Sequence, residues 1–231
     1  MRRARSPENY GQNKCLEVFM EQSSGNIELL LASFSPIRQQ LLREARIAFK
    51  SVGHSFDETL IDQQGHHGAV VKMLAQCKAR SVNLDTSGDA DAVIVVAADT
   101  LVADSNGVLF GKPRDYDHAV EVLKQIRGGA RVVTGVCCRR LERRAKAWVL
   151  VSERCEVVGA DVQLDLPDAW IPVYLSGHKD FLFTAGALAV EGFGAQFVKG
   201  IQGSYTAVLG LPMVEVRLML EELGFFDLPL F

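Results

Sequence analysis

The chain has 231 residues, 48% of them hydrophobic and 23% charged, enough to bury a full core and unlike a disordered, fibrous or disulfide-stapled sequence. Its 25 Lys and Arg against 28 Asp and Glu leave a net charge of −3, which excludes a global field drawing the protein onto nucleic acid or anionic lipid; affinity for phosphate has to be local. No uncharged run approaches the roughly 20 residues that span a bilayer, since the longest apolar stretch, Phe181 to Val190, is short and contains Gly and Thr.

Residues 1–26 mix Arg2, Arg3 and Arg5 with Glu8, Glu17 and Glu21, lack the apolar segment of a secretory signal, and read as a flexible N-terminal extension to one domain over 27–231. Ile27 to Ala32 is a short apolar strand, followed by Ser35-Pro36, a helix cap with proline at the first helical position, and a helix that buries Leu41, Leu42 and Ala45. Ile47 to Val52 starts a second extended stretch. A helix over about Gly68 to Val82 repeats Val70, Val71, Leu74 and Cys77 at helical spacing and turns Lys72, Lys78 and Arg80 elsewhere. Ala92 to Ala98 is a β-branched run of the kind buried on both faces, ending at Asp99-Thr100. Asn106-Gly107 then signals a hairpin between Leu101-Val102 and Val108 to Phe110. Asp115 to Ile126 is a helix, Arg131 to Arg140 and Trp148 to Val158 are long strands joined by the basic turn Arg139 to Lys146, Pro167 to Leu175 is a further helix, and Pro212 to Leu223 an amphipathic one. Strands alternating with helices predict an α/β fold with a mixed, mainly parallel twisted sheet flanked by helices. The basic turn lacks interleaved aromatics and reads as a solvated hairpin tip rather than a nucleic-acid site. The five cysteines form no C-x-x-C pair and read as reduced, core-packing thiols of a cytoplasmic protein.

In open α/β sheets ligands bind beyond the carboxyl ends of strands, which directs attention to Ser33 to Arg38 and to Asp99-Thr100. Ser33, Ser35 and Arg38 surround a helix N-terminus suited to an anion, although a capping serine beside a surface arginine would look the same. A carboxylate directly after an apolar central strand, as at Asp99, is costly unless it caps a turn, holds a metal or moves a proton. Glu58 in Asp57-Glu58 either supplies a second carboxylate, and paired carboxylates hold Mg²⁺ beside phosphates, or starts a helix. Lys112 in Gly111-Lys112-Pro113 and Lys78 are weak signals alone. No Ser/His/Asp or Cys/His triad is evident, and the His66-His67 pair has no partner motif.

Taken together, Leu31-Ala32-Ser33-Phe34-Ser35-Pro36-Ile37-Arg38, Asp57-Glu58, Cys77-Lys78-Ala79, Ala98-Asp99-Thr100, Gly111-Lys112-Pro113, Thr134-Gly135, Glu191-Gly192-Phe193-Gly194, Gly203-Ser204-Tyr205 and Gly210-Leu211-Pro212 resemble, in order and spacing, the Maf nucleotide pyrophosphatases. The resemblance implies a Maf/ITPase-like fold of two lobes around a cleft, a homodimer, and hydrolysis of a nucleoside triphosphate, standard or modified, to the monophosphate and pyrophosphate with Mg²⁺ or Mn²⁺. Carried over by position, Asp99 looks like the general base and Glu58 like its acidic partner, the two together holding the metal, while Ser33, Arg38, Lys78 and Lys112 look like the phosphate-binding set. Ile37 stands where the family often has a further arginine. Thr100 and Gly203-Ser204-Tyr205 resemble the branch that uses dTTP and UTP; Ile37 and Glu191 resemble the branch that uses 7-methyl-GTP. A carboxylate only accepts hydrogen bonds, so Glu191 suits the N–H edge of guanine, and purine or modified-base triphosphates are expected to be used at least as well as dTTP. The competing reading is a non-catalytic nucleotide-binding regulator of cell division, which would not need both carboxylates.

Overall fold

The computed structural model describes residues 26–61, 66–178 and 180–226. The expected N-terminal extension lies, apart from Asn26, outside the described residues. The elements are β1 (Ile27–Leu31), α1 (Pro36–Glu44), β2 (Lys50–Ser51), α2 (His67–Arg80), β3 (Ala92–Ala103), β4 (Leu109–Phe110), α3 (Tyr116–Ile126), β5 (Gly129–Arg144), β6 (Ala147–Leu164), α4 (Ile171–Gly177), β7 (Val198–Gly203), α5 (Tyr205–Val208) and α6 (Met213–Glu222), with short 3₁₀ turns between several of them. They build one seven-stranded sheet in the order β2-β1-β3-β5-β6-β7, with β4 pairing the far end of β3.

This is the mixed α/β sheet flanked by helices that the alternation of elements predicts. The expected predominance of parallel pairing is not found: β1 runs parallel to β2 and β3, while β3–β4, β3–β5, β5–β6 and β6–β7 are all antiparallel. For the β5–β6 pair the cause is the turn at Ala145 and Lys146, both at positive φ, which folds the two longest strands directly back on each other. The basic residues beside that turn are spent locally, Arg144 and Arg140 on Glu142 and Arg143 on the face of Trp148.

β3 organises the core. Ala92, Ile94, Val96 and Ala98 face Leu41 and Leu42 of α1 and Val216, Met219 and Leu220 of α6. Val93, Val95 and Ala97 face Ala75 and Ala79 of α2. Further along, Val102 joins the apolar sides of α3 and α4. A sequence break was expected at Asp99, yet β3 continues to Ala103, because Asp99 and Thr100 keep their ladder positions opposite Gly135 and Thr134 and each side chain finds polar partners. The hairpin turn after it is held by Asp104, whose Oδ1 accepts from the N–H groups of Asn106 (2.9 Å) and Val108 (2.8 Å). Ser35 occupies the predicted cap of α1 without a side-chain cap bond; Ser33 Oγ instead accepts from the Ser35 N–H at 3.2 Å. Of the extended stretch expected over Ile47 to Val52, only Lys50 and Ser51 pair as strand.

Candidate active site

Strand parity decides what Asp99 meets. Successive side chains alternate across a strand, so Asp99 continues the Val93, Val95, Ala97 row that lies under α2. On α2 the buried face includes Val71, Ala75 and Lys78, spaced four and three residues apart. Lys78 is therefore not solvated, as its expected place on the polar side of the helix would have it; it is 5% exposed, and Asp99 is 6% exposed. Lys78 Nζ donates to Asp99 Oδ1 and lies 3.0 Å from Glu58 Oε1, so one ammonium spans two carboxylates. Glu58 comes from a single 3₁₀ turn, Glu58–Leu60, and keeps a side chain 41% exposed, which leaves the array open to solvent on that side. Gly135, opposite Asp99, makes the approach of α2 possible: a Cβ there would sit 2.4 Å from the carbonyl of Val71.

Thr100 points to the other face and belongs to a different network. Arg38 Nε donates to the Gly210 carbonyl at 2.7 Å, Nη1 to the Ala98 carbonyl at 2.7 Å, and Nη2 to Thr100 Oγ1 at 3.2 Å. Thr100 and Thr134 share a hydroxyl hydrogen bond of 2.8 Å, and Thr134 Oγ1 donates to the Ala207 carbonyl at 2.7 Å. Since Thr134 gives its only hydrogen to Ala207, the proton between the two hydroxyls comes from Thr100, and the chain runs one way from Arg38 to α5. Gly210, at φ 97°, lets that turn close on Arg38 and Thr100, each of which would stand 3.2 Å from an added Cβ. Arg38 is thus a tie between α1, β3 and the turn after α5, with three of its five N–H donors engaged. Burial pushes its pKa down, and the charges of Asp99 and Glu58 push it back up. The anion-side and carboxylate-side groups therefore sense each other across the strand.

Burial alone would raise the Glu58 carboxyl, but attraction and hydrogen bonding from Lys78, with help from Lys112 and His54, outweigh it and hold the pKa below the usual value. Lys112 is exposed on the loop after β4, where the Gly111 carbonyl accepts from the Gly186 N–H at 2.8 Å and Pro113 is buried. His54 is the site residue that sequence reasoning missed. It enters through an isolated bridge to Val82 at the end of α2, its pKa is lowered first by burial and then by Lys78, and its Nδ1 has no hydrogen-bond partner among the described residues. Nothing in the local sequence marks it, because the bridge is a single tertiary pairing. Ser33 sits at the α1 N-terminus, partly buried. Glu191 stands apart from this array: its Oε2 accepts from the Val190 N–H at 3.1 Å, and its charge acts on Tyr174 and His178 of the α4 region.

A carboxylate fixed by a buried lysine at the middle of β3, a second carboxylate at its open side and a lysine loop whose charge acts on that second carboxylate make up the residue set that the motif blocks bring together. The Maf-like protein family profile matches residues 28–223. The chain belongs to the Maf family. Curated Maf relatives agree over most of its length: a dTTP/UTP pyrophosphatase of Ruminiclostridium cellulolyticum is 31% identical over 85% of this chain and 96% of its own, one from Anaeromyxobacter dehalogenans 37% identical over 85% and 94%, and one from Escherichia coli 35% identical over 84% and 91%. The Maf match contains every site residue named above, from Ser33 to Glu191. Among the described residues no helix is long and apolar enough to cross a membrane.

Proposed function

We propose that this protein is a nucleoside triphosphate pyrophosphatase, cleaving between the α and β phosphates to release the nucleoside monophosphate and pyrophosphate. The observation that carries the reading is the Glu58–Lys78–Asp99 array: two carboxylates and an ammonium brought from three elements to one partly open point, at the expense of burying charge. Asp99, oriented by its charge-assisted hydrogen bond from Lys78, accepts the proton of the attacking water. Lys112, exposed and electrostatically coupled to Glu58, offers positive charge to the departing pyrophosphate. Arg38 secures the backbone at Ala98, next to Asp99, and adds a cation behind it.

The donor set fits a divalent cation. Lys78 engages one oxygen of each carboxylate, leaving the second oxygen of Asp99 and of Glu58 outside that ion pair, and hard oxygen donors from one or two carboxylates are what Mg²⁺ or Mn²⁺ takes beside phosphates. Asp99 and Glu58 would hold it, and it would supply charge neutralisation at the α-phosphate. A non-catalytic nucleotide-binding regulator would need the cations alone and gives no reason to bury Asp99 under Lys78.

Two observations bear on the base. The curated relatives carry the name dTTP/UTP pyrophosphatase, which favours pyrimidines, whereas the acceptor-only head of Glu191 favours the N–H edge of guanine. The homodimer finds support in the open edge of β6: β7 pairs only with its Ala160–Leu164 end, and Val149, Leu150 and Val151 are exposed further back. The reading is tested by incubating the protein and Mg²⁺ with dTTP, UTP, GTP and 7-methyl-GTP separately and measuring pyrophosphate and inorganic phosphate. Stoichiometric pyrophosphate with at least one of them supports it; inorganic phosphate as the primary product, or no turnover of any, refutes it.

A further inference from the structure

Beneath α2, on the same face of the β5–β6 hairpin that carries the site helix, Cys137 and Cys155 lie directly opposite each other. Their sulfurs are 2.6 Å apart and share a hydrogen bond. The juxtaposition is produced by a bulge. At the hairpin tip Leu141 pairs with Leu150, but Arg140 pairs with Ser152, so Val151 is the extra residue and Cys155, in place of Arg154, comes opposite Cys137. Directly opposed residues of antiparallel strands have Cα atoms about 4.5–5.5 Å apart, inside the range a disulfide bridges without backbone movement.

The surroundings favour reaction at one sulfur. Cys137 is buried and Cys155 partly exposed. The hydrogen bond to Cys137, with smaller help from Gln76 and Lys72, lowers the pKa of the Cys155 thiol against the effect of its burial, while the same hydrogen bond and burial raise that of Cys137. A partly exposed thiol of lowered pKa backed by a buried thiol is the arrangement of an attacking and a resolving cysteine. Glu153, whose carboxylate lies with the two sulfurs, is already claimed: Arg80 Nη2 donates to it at 2.6 Å, Gln76 at 3.3 Å, and Arg139 pairs with it at 2.9 Å. That occupancy argues against a metal held by the three residues. Arg139 also donates to the Ala79 carbonyl at 3.2 Å, so the thiol pair sits inside the set of contacts that pins the Lys78 turn of α2 to the sheet.

We propose that Cys137 and Cys155 form a reversible intrachain disulfide, closed by a peroxide, or by a small-molecule disulfide whose S–S bond the Cys155 thiolate opens to a mixed disulfide with release of one thiol, Cys137 then displacing the second thiol. With peroxide, the Cys155 thiolate attacks one oxygen, forming S–O as O–O breaks and leaving a sulfenic acid and water once hydroxide is protonated. Cys137 then gives up its proton and attacks that sulfur, forming S–S as the S–O bond breaks and a second water leaves. Two thiols lose two electrons and two protons, and one peroxide becomes two waters.

The test oxidises the full chain with hydrogen peroxide, and separately with oxidised glutathione, then counts thiols in denaturant and maps peptides by mass spectrometry. The five cysteines of the reduced chain are expected to lose two titratable thiols, with a mass about 2 Da lower, a cross-link between the Cys137 and Cys155 peptides, and full reversal by dithiothreitol. Cys155→Ser is expected to abolish that cross-link without altering turnover in reducing buffer by more than about threefold. Unchanged thiol number, sulfinic acid on Cys155 alone, a cross-link to other cysteines or between chains, or one equivalent of zinc retained on the untreated protein in place of oxidation would each overturn the proposal.

Discussion

Replacing Lys78 by Met keeps the length of the side chain and removes the ammonium that compensates Asp99. The Lys78 side chain is 7% exposed and that of Asp99 9%, so the orphaned carboxylate could recover little hydration; Glu58, 41% exposed, would turn to water at small cost. Breaking a buried pair at one partner costs about 3–5 kcal/mol, and the open side of the array places this case near 3. For a chain of this size, a change of 1 kcal/mol shifts Tm by about 2–4 °C, so Lys78→Met should melt about 6–12 °C below the wild type. Asp99→Asn alone leaves Lys78 with Glu58 and an amide oxygen and should cost less. The double variant removes both charges, and its loss should fall short of the sum of the single losses by about 1.5 kcal/mol or more. The assay is urea and thermal unfolding of the four proteins at neutral pH, followed by circular dichroism. Losses that add within about 0.5 kcal/mol, or a Lys78→Met variant as stable as the wild type, would show that Lys78 and Asp99 do not depend on each other and would dismantle the site as described.

Thr134→Val should cost about 1–3 kcal/mol, since it leaves the Thr100 hydroxyl proton without its acceptor and the Ala207 carbonyl with the Gly210 N–H alone, and a Tm indistinguishable from wild type would show that the Arg38–Thr100–Thr134 chain is not a structural tie. The folded pKa of His54 lies below its unfolded value of about 6.5, so protonation favours the unfolded chain: stability is full above that pH and falls as pH drops below it toward the folded value. His178 has the same sign and Glu58, depressed below its usual value, adds a loss at lower pH, so the check is whether His54→Asn flattens the slope of Tm between neutral pH and about pH 5.5 relative to wild type. An unaltered slope would remove His54 from the titrating groups of the site. Glu191→Gln should shift the ratio of dTTP to GTP turnover toward dTTP by about tenfold, about 1.4 kcal/mol; an unchanged ratio would show that Glu191 does not read the base.

Much of this was legible in the sequence because local rules and tertiary packing agree. The β-branched run before Asp99 marks the central strand, the proline after Ser35 the start of α1, and Asn106-Gly107 the β3–β4 turn. The errors have physical sources. The helix pattern alone put Lys78, assigned to the phosphate-binding set by resemblance, on the polar side because a lysine is counted polar whatever its spacing, whereas its position in line with Val71 and Ala75 already placed it on the buried face, where only a paired charge is tolerated. Asp99 read as the end of a strand because the cost of its burial was visible and its partner, 21 residues earlier, was not. Arg38 read as an anion ligand or a surface arginine; its ties to Ala98 and Gly210 were not visible because the second depends on a turn 172 residues away. The Cys137–Cys155 pairing could not be counted from the tip of the hairpin, because one bulged residue changes the register and the face.

In the proposed reaction Asp99 takes the proton of the water that splits the triphosphate. This step is tested most directly by single-turnover hydrolysis with wild type and Asp99→Asn, on the triphosphate that the wild type turns over fastest, with nucleotide binding and folded state measured on the same preparations. Asp99→Asn is expected to bind the nucleotide, stay folded, and release pyrophosphate at least about 10²-fold more slowly, the scale of losing a general base. Pyrophosphate release within a few-fold of wild type by a folded Asp99→Asn would contradict this role of Asp99.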